Sequence, residues 1–361
     1  MRHERTRRFS DHERRGFKTE CRHIGRAEPG DPKLGPLADL PGTWTNHAHG
    51  AGIDFHGFGW NLIALPFEPA PDKYRVLMNQ YNEALVFKTA DKGVPNRGLD
   101  GSGSPTEGDQ TLAALDYEQT VAQIADADQP HNIGDDSKPK ARGIHHEPGL
   151  FLYVMDERTA GLDIARLGVV PHGNSVLAMG RASEIEGAPV FPDFSAEPIG
   201  PPSGVSFDTP PACGAPDYLA PYRHFIDNPF MGANTEPGFP GFDPRDVVNL
   251  LRINPVVPKI QRSTVLDFDT THGDGGIVNT PFIEAQADAA HMRSIFWIHE
   301  LDECEPDGQP MRVMQYLQIV MLEFFPRRDG EPGLARWPHV SINTMKWVSA
   351  EPQAAEDMPN V

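Results

Sequence analysis

The chain carries 15 histidines, and their spacing and neighbours separate the ones that could do chemistry from the rest. His47 and His49 alternate, with His56 close behind. On a strand His47 and His49 share one face, which suits two ligands of one metal; the same cluster also reads as a polar loop or a wet strand face. His145 and His146 are adjacent, so on a strand they point to opposite faces and cannot enter one pocket together. His272, beside Gly273, reads as a turn residue, and His299 sits among large apolar residues as a satisfied core histidine. His172 and His339 each follow a proline, Pro171 and Pro338, whose fixed φ stiffens the backbone entering the ring.

His339 opens an expected strand, where its side chain shares a face with Ser341, Asn343 and Met345. A neutral imidazole at a rigid strand end beside an apolar cavity suits an axial ligand of haem iron. His172, on the Pro171-His172-Gly173 turn, reads either as an acid–base residue at a pocket rim or as an ordinary turn residue. Glu147 would cost free energy if buried alone, so Arg142 or Arg166 is its expected partner. P-loop, GxGxxG, HExxH and GxSxG motifs are absent, which weakens nucleotide-dependent, zinc-peptidase and serine-hydrolase readings.

Composition sets what must position these groups. The 361 residues include 34 glycines and 36 prolines, above the average combined share of roughly 12%, so turns and loops should dominate over long helices. The formal charge of −19 repels phosphate backbones and argues against a nucleic-acid partner. Basic residues cluster before residue 27, from Arg2 to Arg26, as a disordered tail or an arm for an anionic partner; no apolar signal segment follows. No apolar stretch is long enough to span a membrane. Cys21, Cys213 and Cys304 are far apart and form no CxxC pair, which fits a reducing, cytoplasmic compartment.

Strand patterns recur along the chain: residues 80–88, 115–124, 150–155, 166–170, 175–179, 294–301, 312–325 and 339–347. About eight to ten antiparallel strands with few helices predict a mainly β fold, a barrel or sandwich. Residues 91–108 read as a loop. Residues 189–290, dense in Pro, Gly and Asp, read as an insertion acting as a lid or subdomain, with short helices opening at Asp243-Pro244 and Thr280-Pro281. The expected layout is a basic tail over 1–33, a barrel over 34–348 and a flexible tail over 349–361.

Six blocks, in order, resemble the nitrobindin-type haem-binding β-barrels, a calycin-like (lipocalin-like) group. They are LGPLADLPGTWTNHAHG (34–50), YNEALVFK (81–88), LDYEQTVAQIAD (115–126), IHHEPGLFLYV (144–154), VVPHGNSVLAMGRA (169–182) and WPHVSINTMKW (337–347). The last takes the place of that family's proximal-histidine strand, with His339 as the histidine and Asn343 where a small residue is usual. The resemblance implies a ten-stranded antiparallel barrel with haem b in an open mouth and iron on His339. It further implies a pocket bordered by Thr43, Trp44, Pro171, Gly173, His339 and Met345, with His172 on the reacting face, and a homodimer through a sheet face. The chemistry implied is nitric oxide binding, peroxynitrite isomerisation or peroxidase-like turnover. Two alternatives use the same barrel: a carrier of a fatty acid or other small apolar ligand, and a cofactor-free isomerase or hydrolase working at His172 or Glu147.

Overall fold

The alternation of the sequence closes into a ring of strands. A computed structural model describes residues 28–47, 55, 57–99, 107–130, 142–154, 161–170, 173–209, 211–284 and 287–349. The strands are β1 (Gly42–Thr45), β2 (Gly59–Pro66), β3 (Tyr74–Leu99), β4 (Glu107–Gln129), β5 (Arg142–Val154) and β6 (Ile164–Gly168). They continue with β7 (Ser175–Glu186), β8 (Ile260–Asp269), β9 (Gly276–Val278), β10 (Asp288–Cys304), β11 (Pro310–Pro326) and β12 (Leu334–Ser349). Neighbours pair in the order β2-β3-β4-β5-β6-β7-β8-β10-β11-β12, and β12 pairs back with β2. β1 lies in line with β2, because both bond β3 on one side and β12 on the other. Every pairing is antiparallel, giving a ten-stranded barrel of calycin-like type.

One end of the interior is filled. Phe151 is its centre, with ring centroids of Phe268 at 5.0 Å, Tyr117 at 5.1 Å, Phe87 at 5.2 Å and Phe296 at 5.3 Å. A 3-10 turn over Pro32–Leu37 closes this end, with Leu34, Leu37 and Leu40 fully buried and the Trp44 indole donating to the Leu40 carbonyl. Gly149 is required where β5 passes Tyr117, since a Cβ there would stand 2.2 Å from the Leu167 carbonyl oxygen.

The excursion between β7 and β8 wraps the outside of the barrel. Outward Trp60 meets Phe230, Phe239 and Phe242 at 5.8, 5.6 and 6.0 Å. Outward Tyr74 donates its hydroxyl to the Tyr218 carbonyl at 2.6 Å and packs on Trp337. This cover explains why β11 lacks a polar face: Tyr316, Gln318 and Val320 look inward, while Leu317, Ile319 and Met321 look out under the excursion.

Several boundaries differ from the sequence reading. The segment 189–290 is not one insertion, because β8 inside it is a barrel strand; the excursion proper spans 187–259 and lies on the wall, not over the mouth. It holds α1 (Ala220–Asp227), which the sequence pattern did not mark, and α2 (Asn249–Arg252), shorter than the helix expected from Asp243. The helix expected from Thr280 is only α3 (Pro281–Glu284), with β10 starting at Asp288. Within the loop expected over 91–108, β3 and β4 continue and pair out to Leu99 and Glu107, and residues 100–106 lie outside the described residues. The tails over 1–27 and 350–361 lie outside the described residues. Among the described residues no helix is long and apolar enough to cross a membrane.

Phe151→Ala removes the ring on which four others pack and should cost about 3–5 kcal/mol in urea unfolding. Phe282→Ala, at a side chain 75% exposed, is the control and should leave the midpoint nearly unchanged.

Candidate functional site

The other half of the interior holds a cavity of about 270 Å³. Its upper wall is aliphatic: Ile63, Leu65, Leu77, Val121, Val170 and Val320. Its lower wall is polar: Asn61, Asn79, Gln119, Gln318 and Ser341, with Tyr81 and Tyr316. Alternation produces this layout, since Asn79, Tyr81 and Glu83 follow one another at a spacing of two on β3 and share its inward face.

His339 lines this cavity. It sits within β12, five residues after the strand begins at Leu334, and not at its head. The ring is partly exposed, but only to the cavity. Its Nε2 accepts from the Asn61 amide at 2.6 Å, which places the ring proton on Nδ1. Asn61 also donates to Ser341 Oγ at 2.8 Å and accepts from Asn79 at 3.2 Å. Burial, with a smaller contribution from the charge of His145, lowers the His339 pKa to about 4, so the imidazole is neutral at physiological pH.

His145 lines the cavity from β5, while its neighbour His146 is exposed and bonded to Glu118, so the pair divides between the two faces. His145 Nε2 lies 3.2 Å from Glu147 Oε2. Glu147 is fully buried and pairs with Arg166, Nη2 to Oε1 at 2.8 Å; of the two arginines named from sequence, Arg166 is the partner. Tyr117 donates a short hydrogen bond to the same carboxylate. Burial pushes Glu147 up, but the Arg166 charge and the donors from His145 and Tyr117 outweigh it and hold the group below the usual carboxylate range. Arg166 spends its other donors on Gln318 at 2.6 Å, Ser294 at 3.0 Å and Tyr117 at 3.2 Å, and its plane lies over Tyr117, Phe296 and Phe151.

Of the described residues named from sequence for a cofactor, His339 alone lines the cavity. Trp44 and Met345 are buried in the filled end, Trp44 against Leu40 and Met345 opposite Met314, and Thr43 is buried on the other face of β1. Gly173 is exposed on a turn at φ 89°, beside Thr280; Pro171 and His172 lie outside the described residues. His47 is described but His49 and His56 are not. Among the described residues no three or more His, Cys, Asp or Glu side chains gather as metal ligands. His299 is the satisfied core histidine expected of it, between Ser263 Oγ at 2.9 Å and Gln315 Oε1 at 3.2 Å, and burial lowers its pKa to about 4. Sequence reasoning missed Asn61, Asn79, Gln119 and Gln318 as cavity residues. The signal was present in polar side chains falling on the inward phase of otherwise apolar strands.

A neutral imidazole facing a cavity has the chemistry of an axial haem ligand. The Asn61 amide already holds Nε2, but it has a second acceptor in Ser341, so it can leave the ring without losing every partner. The donor therefore fits the group, in competition with Asn61.

Two outcomes follow from this interior. Arg166→Leu leaves Glu147 buried without a counter-charge and should cost about 3–5 kcal/mol in urea unfolding, part of which returns in Arg166→Leu/Glu147→Gln. His299 and His339 both bind their proton more weakly folded than unfolded, so stability should fall as pH drops from 6.5 towards about 4. His299→Gln should flatten that slope by on the order of 3 kcal/mol at most; a slope identical to that of the parent would contradict the assignment. The chain matches no protein-family model and no curated protein.

Proposed function

We propose that the barrel is a ligand-binding protein whose cavity takes haem b, with His339 as the axial ligand to iron. One observation carries the reading: an imidazole kept neutral by burial is presented by a rigid strand to a cavity inside the barrel. The order of the six resembling blocks supports it. Bound there, the iron supplies the binding and redox chemistry of a ferric haem, for which nitric oxide, peroxynitrite or a peroxide is the substrate class.

The chain's own residues have distinct tasks in this reading. His339 donates Nε2, and Asn61 competes for the same lone pair. Ile63, Leu65, Leu77 and Val320 exclude water from the upper wall. His145, held through Glu147 by Arg166, borders the cavity with its ring orientation fixed from behind.

A second reading has its own observation. The aliphatic upper wall and amide-lined lower wall also suit a carrier of a small amphipathic ligand, apolar body outward and polar head inward. One titration separates the two. Adding hemin to the purified chain should produce a Soret band that His339→Ala abolishes and Asn61→Ala strengthens. A chain that gives no band, yet binds a fluorescent apolar probe equally well with and without His339, is the carrier.

A further inference from the structure

Glu83 is a buried acid that the haem reading leaves unused. It is 1% exposed and belongs to the same interior as Glu147, but its surroundings are different. Glu147 has Arg166, whereas Glu83 is bonded by neutral donors alone among the described residues. Gln119 Nε2 donates at 2.6 Å, the Tyr316 hydroxyl at 2.6 Å and Asn343 Nδ2 at 2.8 Å. The Tyr316 hydroxyl is in turn 2.8 Å from that of Tyr81, and Tyr81 reaches the Ile342 carbonyl at 3.0 Å. Tyr81, Tyr316 and Gln119 all line the cavity. A carboxylate and two phenols thus form a continuous hydroxyl chain that ends at the cavity floor.

Such a chain has two proton arrangements. With Glu83 ionised, Tyr316 donates to it. With Glu83 protonated, Glu83 donates to Tyr316, Tyr316 to Tyr81, and Tyr81 has a proton for Ile342 or for a ligand oxygen. We propose that Glu83, Tyr316 and Tyr81 form a proton-exchanging floor that selects ligands bearing an acidic hydroxyl, phenols and enols, and holds them as oxyanions. The transfer balances without a co-reactant. The ligand O–H bond breaks, each phenol passes one proton and takes one, and an O–H bond forms on Glu83; the ligand becomes anionic as the carboxylate becomes neutral. The net charge of the cavity does not change, so no ion is added to a low-dielectric interior.

Three features favour this ligand class. The cavity admits a small organic body, and the aliphatic upper wall receives its apolar part. Burial pushes Glu83 up against the pull of its three donors, which favours its taking a proton from a ligand hydroxyl. Finally, the buried Asn79 Oδ1 has no partner and Asn79 lines the same wall, ready for a ligand donor. Among the described residues the groups facing Glu83 come from every strand around it. Its own strand presents Tyr81, β4 presents Gln119, β11 presents Tyr316 and β12 presents Asn343. β1 touches its backbone through Thr45 and Asn46, and the one further titratable group felt is His145 on β5.

The test uses the full chain without hemin and para-nitrophenol as the probe, so it stands whether or not haem binds. The bound dye should show its phenolate absorbance at pH values where the free dye is neutral. Calorimetric titrations in buffers of different ionisation enthalpy should show no proton released to buffer. Glu83→Gln and Tyr316→Phe should each lower the bound phenolate fraction by roughly tenfold, equivalent to one pKa unit. Phenolate formed with release of one proton, dye bound only as the neutral phenol, or no binding would each overturn the proposal. If Glu83→Gln does not fold, the proton balance of the parent chain and Tyr316→Phe still decide it.

Discussion

A guanidinium enclosed by a barrel has no water to return to, and the interior of this protein is arranged around that fact. Arg166 touches Tyr117 on β4, Glu147 on β5, Ser294 and Phe296 on β10 and Gln318 on β11. Its donors are met by a carboxylate, an amide and hydroxyls, and its flat faces by rings, so both the charge and the carbon framework of the residue are accommodated. On one side of it Phe87, Phe151, Phe268 and Phe296 pack together, and on the other Gln318 and His145 border the cavity. The ion pair is thus the partition between a packed half and a hollow half, and it fixes Glu147 and through it His145 at the edge of the hollow.

The hollow half is built by ordinary strand alternation applied to unusual residues. A strand that runs Leu77, Asn79, Tyr81, Glu83, Leu85 on its inward face passes from aliphatic to polar and back within one lane. Neighbouring lanes also carry polar groups into the cavity, with Gln119 on β4, Gln318 on β11 and Ser341 on β12. The polar groups bond one another across lanes, which is how a barrel interior tolerates so many amides.

A mainly β, antiparallel fold of about eight strands was legible from periodicity, while the ten-stranded closure and the inward His339 were expected from the resemblance. The division of His145 and His146 was legible from periodicity too, since adjacent residues on a strand must part. What periodicity does not carry is height along the barrel. Trp44 and Met345 have the right phase for the interior but stand at its filled end, and phase alone cannot tell the two ends apart; Thr43, next to Trp44 and opposite Val86, takes the other face of β1. The excursion was misjudged because β8 is short of neighbours in sequence: its partners β7 and β10 lie across Pro-rich and Asp-rich connections that mask it.

The way that excursion is fastened has a consequence for assembly. Ser263 holds the Gly187 carbonyl where the chain leaves the barrel, and Gln315 holds the Leu251 carbonyl further along, with His299 bonded to both side chains. Trp60 and Tyr74, apolar groups that a bare barrel would offer to a neighbour, are thereby covered by the chain itself. The excursion acts on that wall as a built-in second subunit at fixed effective concentration.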